Sequence, residues 1–95
     1  MINARIANNR AKILSLANQH GIKSMKIFGS MVRGDASESS DADFLVEMED
    51  GYDLFDLGSC LMDLQDLLDC KVDMVTKAAL HPRIRENILK EAQTL

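Results

Sequence analysis

The sequence predicts an α/β sandwich with a small sheet, a single domain over residues 1–95. Three observations lead there. Short apolar runs that fit strands, Lys23 to Phe28, Ala42 to Met48 and Lys71 to Thr76, alternate with segments whose apolar residues recur every three or four positions. A length of 95 residues fits one domain. The apolar share of 46% and charged share of 27% are those of an ordinary globular protein.

Taken in order, Ile2 to Gln19 is predicted as one helix. Ile2, Ile6, Ile13 and Ala17 recur near the helical period, and Leu14 and Leu16 broaden the stripe. His20-Gly21 stops it. Gly21 suits a left-handed cap, and His20 is expected to interact with the last carbonyls. The strand Lys23 to Phe28 is broken by Gly29-Ser30, after which Ser30 to Arg33 fits a short helical turn before Gly34. Asp35 to Ser40 is polar and reads as a loop, with Ser37, Ser39 and Ser40 as ordinary loop residues. In Ala42 to Met48 the period of two assigns Ala42, Phe44, Val46 and Met48 to the core and Asp41, Asp43, Leu45 and Glu47 to the other face.

Glu49-Asp50-Gly51 turns the chain. Asp53 is placed to cap the next helix, with Asp56 in its first turn. Leu54, Leu57, Leu61, Leu64 and Leu68 carry that helix to about Asp69, and Phe55, Met62 and Leu67 widen its apolar surface, so it is expected to be the most buried helix. Asp63, Asp66 and Asp69 are expected on a solvated face. Lys71 to Thr76 is the third strand. His81-Pro82 opens a last helix with Ile84, Ile88, Leu89, Ala92 and Leu95 on its apolar side.

A net charge of −4 argues against a surface that grips nucleic acid through its phosphates, so a protein or a small molecule is the expected partner. No apolar run approaches the roughly 20 residues that cross a bilayer, and Met1 to Arg10 lacks a signal-like apolar core. A cytoplasmic location is expected. Cys60 and Cys70 have no metal-type spacing and read as reduced, partly buried thiols.

The chemistry concentrates between Gly29 and Glu47. Asp41 and Asp43 stand one residue apart on an extended segment, so their side chains project from one face. The Gly29-Ser30 turn ahead of them offers close backbone approach and a hydroxyl donor. Asp73 lies among Val72, Met74 and Val75, where a carboxylate is costly unless it is paired or binds a cation. If the two strands are neighbours, three carboxylates converge, and like charges so close call for a neutralising ion. Hard oxygen ligands suit Mg²⁺, which also recruits phosphates, and two such ions about 3.5–4 Å apart stabilise an in-line displacement at phosphorus. The stretch thus reads as a seat for a nucleoside triphosphate with magnesium.

Gly29-Ser30, ten residues, Asp41-x-Asp43 and a later Asp73 on a strand resemble the DNA polymerase beta-like nucleotidyltransferase superfamily. Within it the chain looks most like the minimal nucleotidyltransferases, the small antitoxin partners of HEPN-domain toxins. The likeness also takes in the leading helix, Arg33-Gly34, Ser40 and the closing Arg83-Ile84-Arg85 helix. It implies a small mixed sheet packed with helices. It implies that Gly29 and Ser30 contact the triphosphate of ATP, that Asp41, Asp43 and Asp73 hold magnesium, and that Asp73 also helps deprotonate the attacking hydroxyl. The implied reaction moves AMP from ATP to a tyrosine of an RNase toxin, releasing pyrophosphate, in a type VII-like toxin–antitoxin pair. Arg33 either pairs with phosphate or makes a structural ion pair with Asp35, Glu38 or another acid. Two rivals stand beside this reading: an antitoxin that neutralises its toxin by binding alone, and a nucleotidyltransferase acting on a small molecule. Tyr52, the single tyrosine, reads as a surface loop residue, and Glu47 as solvated.

Overall fold

The apolar stripe at the amino terminus is cut in two. A computed structural model describes residues 2–34 and 41–95, so the loop expected at residues 35–40 lies outside the described residues. In place of one helix from Ile2 to Gln19 there are two, α1 (Ala4–Asn8) and α2 (Arg10–Gln19). Asn9 makes the break. Its Nδ2 donates to the Arg5 carbonyl at 2.7 Å, while its backbone N–H donates to Ile6, three residues back. An asparagine side chain that takes the i−4 carbonyl displaces the regular helical ladder. Asn3 caps α1 by accepting from the Arg5 N–H at 2.8 Å.

The remaining elements are β1 (Ile22–Phe28), α3 (Ser30–Arg33), β2 (Ala42–Met48), α4 (Leu54–Leu68), β3 (Val72–Thr76), a 3-10 turn at Lys77–Ala79, α5 (Pro82–Glu91) and β4 (Gln93–Thr94). They form a four-stranded mixed sheet in the order β3-β2-β1-β4. β2 runs antiparallel to β1 and parallel to β3, the latter reached through α4. One face carries Met25, Ile27, Ala42, Phe44, Val46, Val72 and Met74 against Ile6, Ile13, Ala17, Cys60, Leu64 and Leu68. The predicted alternation of β2 therefore holds for its core side. Leu45, on the opposite side, is buried as well.

Three expectations change. The stripe of the last helix does not run to Leu95. The helix ends at Glu91, Ala92 turns extended, and Gln93 and Thr94 pair with Ile27 and Lys26 on β1. Sheet-edge hydrogen bonds displace the last helical turn, and a two-residue strand is too short to show a period. Next, α4 is buried only through Cys60, Leu64 and Leu68, while Leu54, Phe55 and Met62 are 79%, 86% and 59% exposed. Phe55 and Met62 lie on the side of α4 turned away from Cys60 and Leu64, and Leu54 is its first residue, whereas Leu57 and Leu61 pack against the core. Finally, the His20 side chain bonds Asp63 through Nε2 at 2.7 Å, so Asp63 is paired and half-exposed, while the His20 backbone N–H donates to the Leu16 and Ala17 carbonyls of its own helix as expected. Glu47 is exposed as expected, with Lys23 at 3.7 Å. Tyr52 is half-exposed, and its ring packs on Gly21. The thiols of Cys60 and Cys70 are free, and burial pushes the Cys60 thiol up to about 11.

Asp53 caps α4 as predicted. Its Oδ1 accepts from the N–H groups of Phe55 and Asp56 at 3.0 and 3.2 Å, and its own N–H donates to Asp56 Oδ2 at 2.9 Å. Replacing it with alanine is expected to cost about 1 kcal/mol, as for other N-caps. In a domain of this size that is a fall in Tm of roughly 4–8 °C, readable by thermal denaturation.

Candidate active site

β1 ends beside the start of β2, with Phe28 opposite Asp43. The chain must turn at once, and Gly29 does so with φ 77° and ψ −153°, a combination that side chains disfavour. A Cβ there would lie 2.5 Å from Asp43 Oδ2. The glycine thus allows a carboxylate to rest against the turn. Ser30 follows as the first helical residue. Gly29, not Ser30, occupies the capping position of α3, and no side chain caps it.

The parallel pairing of β2 with β3 sets Asp43 directly opposite Asp73. Side chains of paired residues on adjacent strands point to the same face, some 5 Å apart. Asp41 enters two residues earlier, next to Ala42, whose N–H bonds the Lys71 carbonyl. Asp41 and Asp43 are half-buried and Asp73 is exposed. Burial first, then the charges of Asp73 and Asp41, push the Asp43 carboxyl above its usual range, while Arg33 works in the opposite direction. Asp43 thus lies opposite Asp73 in the sheet and within electrostatic reach of both Asp73 and Asp41.

Among the described residues no three acidic, histidine or cysteine side chains are already gathered at ligand spacing. Yet the donor set fits magnesium. It consists of hard carboxylate oxygens, and its excess negative charge is what a divalent ion relieves. Asp41, Asp43 and Asp73 are the residues that could hold it. A cavity of about 230 Å³ is lined by Ser24, Lys26, Leu45, Val46, Glu47, Lys77 and Leu89.

Arg33, at the end of α3, donates through Nη1 to Glu91 Oε1 at 2.8 Å. Glu91 Oε2 accepts from the Gly29 N–H at 3.1 Å. Among the described residues this acid comes from the far end of the chain, and a pairing of Arg33 with Asp35 or Glu38 lies outside the described residues. Sequence reasoning missed Glu91, because it is one polar position on an amphipathic helix and carries no local signal.

Aspartates on paired strands beside a glycine turn, on a small mixed sheet, are an arrangement suited to nucleotidyl transfer. The Polymerase beta nucleotidyltransferase model matches residues 11–95, and the chain belongs to that family, among its minimal members. A Methanocaldococcus jannaschii protein provisionally named a protein adenylyltransferase (MJ0435) is 39% identical over 83 residues, 87% of this chain and 89% of that protein. Protein adenylyltransferase MntA of Thermococcus cleftensis is 37% identical over 76 residues, 80% of this chain and 77% of its own. A solved structure provisionally described as a minimal nucleotidyltransferase superposes with a TM-score of 0.86 at 40% identity, over 100% of this chain and 97% of that one. The same fold recurs, at 20% identity and a TM-score of 0.69, in a solved complex of a tri-AMPylated Shewanella oneidensis HEPN toxin with MNT antitoxin, over 93% of this chain and 69% of that one.

Proposed function

We propose that this chain is a protein adenylyltransferase that transfers AMP from Mg-ATP to a tyrosine hydroxyl of a HEPN-type RNase toxin, and thereby acts as its antitoxin. The observation that carries the reading is the pairing of Asp43 with Asp73 beside Asp41 and the Gly29 turn. The names of the relatives, all adenylyltransferases, support it.

In this reading the Gly29 turn and the Ser30 hydroxyl receive the triphosphate, and Arg33 adds positive charge beside it. Asp41, Asp43 and Asp73 would hold magnesium, which would offset the charge of the phosphates. Asp73, the most exposed of the three, accepts the proton of the tyrosine hydroxyl. The tyrosine oxygen bonds to the α-phosphorus, the bond from that phosphorus to the bridging oxygen breaks, and pyrophosphate leaves with the bonding pair.

The partner surface has support of its own. Leu54, Phe55 and Met62 are apolar side chains that α4 leaves exposed, the kind of group a protein partner covers. Every charged side chain from Glu49 to Asp69 is acidic, so the complementary face is apolar and basic. The same side chains favour a second reading, neutralisation by binding alone. Intact mass of the toxin encoded beside this chain, after incubation with it, ATP and magnesium, separates the two. A gain of one or more AMP units is expected. A toxin that stays bound and silenced at unchanged mass would leave only the binding reading.

A further inference from the structure

We propose that Glu91 is the positioning residue of the nucleotide seat, holding the Gly29–Arg33 turn in place over Asp43 so that the triphosphate meets formed geometry. The proposal rests on the reading that this turn receives the triphosphate. One carboxylate grips both ends of the turn: Oε2 takes the Gly29 N–H at 3.1 Å and Oε1 takes Arg33 Nη1 at 2.8 Å. Hydrogen bonds with an ionised partner are roughly twice as strong as neutral ones. The Glu91 side chain is 24% exposed, against 53% for Arg33, so the acid is the more buried partner.

What fixes Glu91 is the short strand that follows it. After Ala92 alone, Gln93 and Thr94 pair with Ile27 and Lys26, and the Leu95 N–H donates to the Met25 carbonyl at 3.1 Å. β4 therefore ties the end of α5 to β1, the strand that runs directly into Gly29. The arrangement also has a cost. Glu91 adds to the negative charge around Asp43 and, with Asp73 and Asp41, raises its proton affinity. An acid set beside three others and an incoming polyanion is unfavourable unless its grip on the turn offsets the repulsion.

An opposite role is conceivable from the same contacts, in which the Glu91 carboxylate stands in for a phosphate and competes with ATP. The two roles predict opposite signs. The full chain is assayed for AMP transfer over a range of Mg-ATP, as wild type, Glu91→Ala, Glu91→Gln and Asp43→Asn. Glu91→Ala is expected to raise KM for Mg-ATP about ten-fold or more, the loss of a charge-assisted hydrogen bond, while kcat stays within about three-fold. Glu91→Gln keeps an acceptor for one of the two donors and is expected to recover part of the loss. That split and that rescue would not follow from general loosening of the fold. A KM that is unchanged or lower in Glu91→Ala overturns the proposal, and lower identifies the competitor. If the alanine variant does not fold, the glutamine variant decides on the same readout with a smaller rise. Transfer that persists in Asp43→Asn would instead sink the reading of the site, whatever Glu91 does.

Discussion

Asp43→Asn is expected to abolish AMP transfer and, in magnesium-free buffer, to raise the melting temperature. Both effects have one cause. Asp43 is half-buried and faces Asp73 and Asp41, and its carboxyl is held above the usual range. A carboxyl whose pKa is raised on folding binds its proton more readily in the folded chain than in the unfolded one. Stability therefore falls as pH climbs from the ordinary carboxylate range through the raised value, and the cost is fully present at neutral pH. A neutral amide has no such cost. It also cannot supply the charge that holds magnesium, and losing one preorganised charge-stabilising group slows a reaction by about a hundred- to a thousand-fold. Transfer from α-labelled ATP measures the first effect. Melting curves of both proteins near pH 7 and near pH 4 measure the second, and the gap between them is expected to narrow at acid pH. A variant that melts lower than the parent at pH 7, or that still transfers label, contradicts this account of the site.

Gly29→Ala is expected to be the most damaging small substitution in the turn. Two costs add. The backbone at φ 77° and ψ −153° is a region nearly closed to side chains, and the new Cβ would meet Asp43 Oδ2 at 2.5 Å. Together these amount to about 2–4 kcal/mol. For a domain of this size that corresponds to a drop in Tm on the order of 10–20 °C. Gly34→Ala is the control. Its φ of 86° is also positive, but its ψ of 8° lies in the ordinary left-handed region and a Cβ there meets none of the described residues within 4 Å. Only the conformational cost remains, about 1 kcal/mol. Thermal or urea denaturation of both variants tests the difference. Equal losses would mean that the contact between Asp43 and the turn is unimportant. Because any relaxation around the new Cβ moves Asp43 or the turn, Gly29→Ala is also expected to weaken Mg-ATP binding, measurable by titration calorimetry.

Much of this was legible in the chain itself. The period of two in β2 placed Asp41 and Asp43 on the face away from the core, because strand geometry is local and the alternation with Ala42, Phe44 and Val46 is regular. Asp73 stood out because a carboxylate among valines and methionine needs a reason. Asp53 and Pro82 announced helix starts by their own backbone chemistry. What the chain could not announce depends on partners far away in sequence. The register that sets Asp43 against Asp73 comes from strand pairing across 30 positions, and no property of either segment encodes it. Glu91 reaches Gly29 only because two residues after it find free hydrogen-bonding groups at the edge of β1. The exposure of Leu54, Phe55 and Met62 follows from which side of α4 the sheet covers, since a helix apolar on more than one side does not state which side another layer will take. Local geometry and side-chain polarity thus decided which residues could do the chemistry, and tertiary packing decided which of them meet.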